Sequence, residues 1–248
     1  MKSKSKQTGR YRKLDPEMLT RTCDLLSKRI AERFPNAALV SISRDLVSIS
    51  VDTTRLVRWL DRPILWARGL VVVLGILIVI LASVALRGVY FREVQPADAN
   101  KPYSSIADAL QGFDAMVNEL LLLGGALYFV SSLERRIKRR RTLEALHGLR
   151  SMAHIVDMHQ LTKDPGQLLT RGPSTRSSPV RDMPPYELTR YLGYSSELLS
   201  LISKIAALHV QEFDDSVALS AVDELEGLCT GVASRIWLKI LIVDRGLG

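Results

Sequence analysis

The sequence predicts an all-α protein, a two-span transmembrane hairpin with a cytoplasmic multi-helix bundle built from N- and C-terminal segments. Three observations lead there. Residues 69–86, GLVVVLGILIVILASVAL, run for eighteen positions without a charge, and at 1.5 Å per residue such a helix extends about 27 Å, close to the hydrocarbon thickness of a bilayer. On both sides of it apolar residues recur at steps of three and four, the period of a helix face. Composition agrees, with 47% hydrophobic and only 6% aromatic residues among 248 and a bias toward Leu, Ala, Ile, Val, Arg and Glu.

The formal charge of +8 invites a nucleic-acid reading, and the placement of that charge argues against it. Residues 1–13 hold six Lys/Arg and no acid; Arg55, Arg58, Arg62 and Arg68 crowd the approach to the apolar run; ERRIKRRR at 134–141 has six bases and one acid. Beyond Arg141 there are ten bases against thirteen acids. A nucleic-acid domain spreads its bases over a folded face with side chains placed to read nucleobases. Here the bases flank apolar segments, so the expected partner is a bilayer with anionic headgroups. Nucleic acid is not expected.

Taken in order, residues 1–14 read as a basic disordered tail touching the membrane surface. Residues 15–62 read as a cytoplasmic helical hairpin, in which Asp15 caps a helix with Pro16 at its first position, and Leu19, Cys23, Leu26 and Ile30 follow at helical spacing. ALVSISRDLVSISVD resembles two alternating strands, but Leu39, Ile42, Leu46, Ile49, Thr53, Leu56 and Leu60 step 3, 4, 3, 4, 3, 4, a heptad seam that predicts a helix instead. Asp61-Arg62-Pro63 marks a bend before Trp66, an interfacial anchor. Residues 63–86 form the expected first span.

The segment 87–118 reads as an external loop with an amphipathic helix, where Ser105 and Asp108 form a capping box ahead of Ile106, Ala109, Leu110, Phe113 and Val117. The second span, 119–133, contains LLLLGGALYFVSSL, only fourteen residues. Crossing parity supports it, because a single crossing would leave 134–141 on the side opposite the first basic flank, against the positive-inside tendency. With two crossings both chain ends lie in the cytoplasm. The pattern of a bacterial inner-membrane protein follows.

Residues 134–163 continue the helix to Lys163-Asp164-Pro165, where proline ends it. Residues 164–184, rich in Pro, Ser, Gly and Arg, read as a flexible linker. In 185–248, Leu188, Leu192, Ser195, Leu199, Ile202, Ala206 and His209 share one face, EFDDS turns the chain and caps the next helix, and Val222, Leu225, Cys229, Val232, Ile236 and Val243 continue to the end. This predicts an antiparallel helical hairpin. Both cysteines, Cys23 and Cys229, sit on apolar faces and are expected as reduced, buried thiols.

Three sets of residues carry candidate chemistry. His147, His154 and Asp157 share a helix face at i, i+7 and i+10, and His209 with Glu212 repeats an i, i+3 spacing; together they are candidate metal ligands if a crossover by the linker brings them together. The plainer reading is a hydrogen-bonded helix interface, and no cofactor is expected. Arg135, Arg136, Lys138, Arg139, Arg140 and Arg141 are expected to face lipid headgroups. Asn118 and Glu119, beside the second span, are the candidates for transport. No phosphate-cradling Gly loop, Gly-x-Ser-x-Gly elbow, His-Glu-x-x-His or Cys-x-x-Cys occurs, which removes the usual grounds for an enzyme. The implied class is a membrane-tethered interaction or scaffold module, binding a protein partner or itself through helical seams. An oligomeric ion-conducting hairpin is the alternative, and a metal enzyme ranks third.

Overall fold

The structure is a computed structural model that describes residues 13–94, 102–163, 165, 176, 183–211 and 213–247. Within it are six helices and, among the described residues, no strand: α1 (Pro16–Arg33), α2 (Ala38–Leu60), α3 (Leu65–Val94), α4 (Pro102–Leu161), α5 (Pro185–Gln211) and α6 (Ser216–Leu247).

Local chemistry accounts for α1. The Asp15 carboxylate accepts from the N–H groups of Glu17 at 2.9 Å and Met18 at 3.3 Å, and Pro16 occupies the first turn. The helix stops at Phe34, whose φ of −129° and ψ of 62° lie outside the helical region, as expected for the residue before Pro35. α2 has no such help, since Ala37 makes no side-chain cap and its Ser, Val and Ile residues each cost up to about 0.7 kcal/mol in helix propensity. Packing outweighs that. Leu39, Ile42, Leu46 and Leu60 of the expected seam are buried, each worth about 1.5–3 kcal/mol. Across the α1–α2 contact, the hydroxyls of Ser27 and Ser43 bond at 3.0 Å in the core.

Two compact units emerge: Met1–Arg62 with Arg139–Gly248, and Pro63–Lys138. The first is a five-helix bundle made of α1, α2, the part of α4 after Arg139, α5 and α6. Leu26, Ile30, Leu39, Leu149, Leu192, Ile202, Ile205 and Ile236 stand at its centre. Its rungs give the directions. Arg139–Asp215, Arg150–Glu224 and Arg235–Asp157 advance together along α4 and α6, which are therefore parallel. Ser203 on α5 reaches Glu226 on α6 at 3.4 Å, the pairing of an antiparallel hairpin. The expected hairpin at 185–248 and its Asp215 cap are both present.

The second unit contains α3 and the earlier part of α4, joined where the Ile64 N–H donates to Glu134 Oε1 at 3.4 Å. Four expectations need correction here. α3 continues to Val94, past the expected end at Leu86, and α4 begins at Pro102. Ser105 is thus inside a helix, and a residue there does not serve as an N-cap. The expected boundary at 118/119 between loop helix and second span falls within one continuous helix, because nothing between Pro102 and Leu161 breaks it. Finally, the two-span hairpin and the transmembrane character are not carried by the described residues, among which no helix is long and apolar enough to cross a membrane.

Candidate functional site

One end of the bundle unit collects Arg58, Arg139, Arg140 and Arg141. There the start of α1, the end of α2, residues 139–141 of α4, the end of α5 and the start of α6 come together. Leu60, Phe213 and Ala218 form a small apolar cluster of their own, with Leu56, Trp59 and Val210 packed against it. The Gln211 carboxamide holds the chain entering α1 from both sides: the Leu14 N–H donates to Oε1 at 2.7 Å, and Nε2 donates to the Leu14 carbonyl at 3.2 Å.

Asp215 organises this end. Its Oδ1 accepts from the Val217 and Ala218 N–H groups at 3.2 and 3.1 Å, capping α6. Arg139 meets the same carboxylate through two nitrogens, with Nε at 2.9 Å and Nη2 at 2.6 Å from Oδ2. Burial alone would raise the carboxyl's pKa; the hydrogen bonds from Arg139 and from the Ala218 and Val217 amides outweigh it and hold the group below its ordinary range.

The other basic candidates divide. Arg141 lies 4.3 Å over the Trp59 ring, a stacked cation–π geometry. Arg140 bonds Glu144 one turn on at 3.0 Å, and both are largely exposed. In the second unit, Lys138 pairs with Glu134 at 2.9 Å with both side chains mostly covered, Arg136 stacks 5.7 Å over Phe129, and Arg135 is exposed. The expectation of six headgroup-facing bases is therefore revised: Arg139 is committed to Asp215 and Lys138 to Glu134, so neither charge is presented outward alone.

The metal candidates do not assemble. His147 and His154 are exposed. Asp157 accepts from Gln160 at 2.6 Å and from Arg235 at 3.1 Å, an interface between α4 and α6 that Lys239 extends by donating to the Gln160 carbonyl and side chain. His209 is fully buried, its Nδ1 3.0 Å from the Ile205 carbonyl and its Nε2 without a partner; burial lowers its pKa, only partly offset by the backbone contacts. Glu212 lies outside the described residues. Among the described residues, no group of three or more His, Cys, Asp or Glu is arranged to hold a metal ion.

Asn118 is exposed on α4, and the Glu119 side chain lies outside the described residues, as do most of the basic tail and of the linker. Both thiols are buried, as expected, and burial pushes each up to about 11, with Glu226 adding to the effect at Cys229. Neither is an activated nucleophile. What sequence reasoning missed is the Arg139–Asp215 bond and the Gln211 clamp. The cap at Asp215 was readable; its partner, 76 positions earlier, carried no local signal.

Comparison with protein families, with curated proteins and with solved structures gave no match.

Proposed function

We propose that the chain is a membrane-tethered helical scaffold of bacterial inner-membrane type, in which residues 63–133 make a two-span hairpin and the bundle displays helical surfaces to a protein partner or a second copy from the cytoplasmic side. One observation carries the reading. In the bundle unit a large set of apolar residues closes into a core, with Leu25, Leu161, Trp237 and Leu238 left outside it, whereas in the second unit Val130 alone among the described apolar side chains is buried. On α3, Val72, Val73, Ile76, Val79, Ile80 and Val84 are all more than half exposed. Apolar surface of that extent is unfavourable against water by about 25 cal/mol per Å² and is stable against lipid. The run of eighteen uncharged residues at 69–86 lies inside the continuous helix α3 and extends about 27 Å, close to the roughly 30 Å of a bilayer's hydrocarbon. Exposed bases at Arg62, ahead of the first apolar run, and at Arg135 and Arg140, after the second, suit anionic headgroups, with roughly 1 kcal/mol per base near such a surface.

The test is twofold. Membranes from expressing cells are washed with alkaline carbonate, and reporters are fused before Lys2 and after Gly248. Retention in the membrane with both reporters cytoplasmic supports the tether; release, or reporters on opposite faces, removes it. Quantitative cross-linking then examines the scaffold role, which a strictly monomeric chain with no stable partner would overturn.

A further inference from the structure

The end of the bundle unit opposite Asp215 brings together rings and cations from three separate segments. Phe34, closing α1, meets Tyr191 edge-on at 5.7 Å and Tyr194 at 6.2 Å. Four cations lie over tyrosine faces around it. Arg190 and Arg29 sit 5.0 and 5.9 Å from the Tyr194 ring, Lys163 is 5.8 Å from Tyr191, and Arg33 is 5.6 Å from Tyr186. Energetically significant contacts of this kind occur about once per 70–80 residues in proteins, so four at one end is a local concentration. The rings of Tyr191 and Tyr194 are themselves buried, and they form a fixed wall.

The charges at this wall are incompletely compensated. Arg29 bonds Glu197 at 2.8 Å, and the same carboxylate acts on Arg190 through space; among the described residues, no carboxylate is hydrogen-bonded to Arg33, Lys163 or Arg190. Arg190 donates from Nη2 to the Tyr194 hydroxyl at 3.4 Å, and its Nε is buried with no acceptor. A buried donor left unmatched is unfavourable by about 1–3 kcal/mol, and the outer nitrogens of the same guanidinium remain for an acceptor. α5 also begins here, at Pro185, adding the positive end of its helix dipole.

We propose that this end of the bundle binds a phosphate monoester, with the dianionic oxygens held by Arg190, Arg33 and Lys163 and the organic group lying against the exposed Tyr186 ring. Guanidinium groups present paired donors that match phosphoryl oxygens. Three cations without a bonded carboxylate suit a dianion better than a single carboxylate. The site is independent of the membrane reading.

The full chain in mild detergent is titrated calorimetrically with phenyl phosphate and with a short phosphoserine peptide, acetate serving as the monoanion control. Saturable binding of either phosphate compound is expected, the tighter one identifying whether a free ester or a phosphorylated segment is the natural source. Arg190→Gln is expected to weaken it by roughly tenfold or more. The double change Arg33→Gln with Lys163→Gln, at an exposed and a half-buried side chain, is expected to do the same, with an unchanged helical circular dichroism spectrum as the check on folding. Absence of saturable binding, acetate binding as tightly as phenyl phosphate, or an unchanged affinity in the double variant would each overturn the site.

Discussion

Arg139 and Asp215 are joined by a two-nitrogen bond in which the carboxylate is only 2% exposed and the guanidinium 38% exposed, and the same carboxylate caps α6. One side chain thus fixes the start of α6 to the point where α4 enters the bundle. Asp215→Ala removes both roles. A lost cap costs about 1 kcal/mol, and the partly exposed Arg139 limits the ion-pair share, so a loss of about 2–3 kcal/mol is expected. Asp215→Asn keeps the cap's acceptor oxygen and should lose about half as much. Denaturant midpoints of the three proteins measure this, and equal midpoints for native and Ala forms would refute the role.

Because the Asp215 carboxyl is held below its ordinary value of 3.8, its contribution is fully present above that pH and is lost as pH falls through the depressed folded value. His209 acts at a higher pH. Burial lowers it from 6.5, so the unfolded chain takes up the proton first as pH drops below 6.5. Stability should decline over that window, and the slope should vanish in His209→Gln. Unfolding at about pH 7.5 and about pH 5.5 tests this; a histidine variant that keeps the same pH slope assigns the effect elsewhere.

Thiol chemistry gives an independent check of the core. With burial holding Cys23 and Cys229 near 11, the native chain at neutral pH should label negligibly with a thiol reagent, and both sites should react after denaturation. A raised thiol pKa also makes stability decline once pH climbs above the ordinary value of 9.0. Rapid labelling of the folded chain would mean that α1 or α6 is packed differently.

The two units should respond oppositely to truncation. Ile202→Ala, at a fully buried position, is expected to cost about 2–5 kcal/mol. Leu122→Ala, at a side chain 73% exposed in the second unit, should change stability by less than about 0.5 kcal/mol. Comparable losses at the two positions would show that the second unit has a core of its own.

Much of the helical architecture was readable because its causes are local or periodic. Asp15-Pro16 announces the start of α1, Phe34-Pro35 its end, and the 3-4 steps from Leu39 to Leu60 correctly outvote the strand-like look of α2. EFDDS likewise announces the α5–α6 turn. The capping box at Ser105 misled, since a cap motif inside a continuous helix looks the same in sequence as one at its start. The histidine and carboxylate set shared a plausible spacing, yet helix periodicity orients residues only within one helix. It does not say which face another helix covers.

The sequence by itself determined that the chain is helical, where the helices of the bundle begin and end, and which faces are apolar, because propensity, capping and periodicity act over a few residues. Tertiary packing alone decided that α4 runs parallel to α6, that Arg139 is spent on Asp215, that Asp157 bonds Arg235, and that Lys163, Arg33 and Arg190 meet the same tyrosine wall. Those pairings depend on how helices distant in the chain settle against one another, and a charge carries no mark of its eventual partner until apolar burial has set the register.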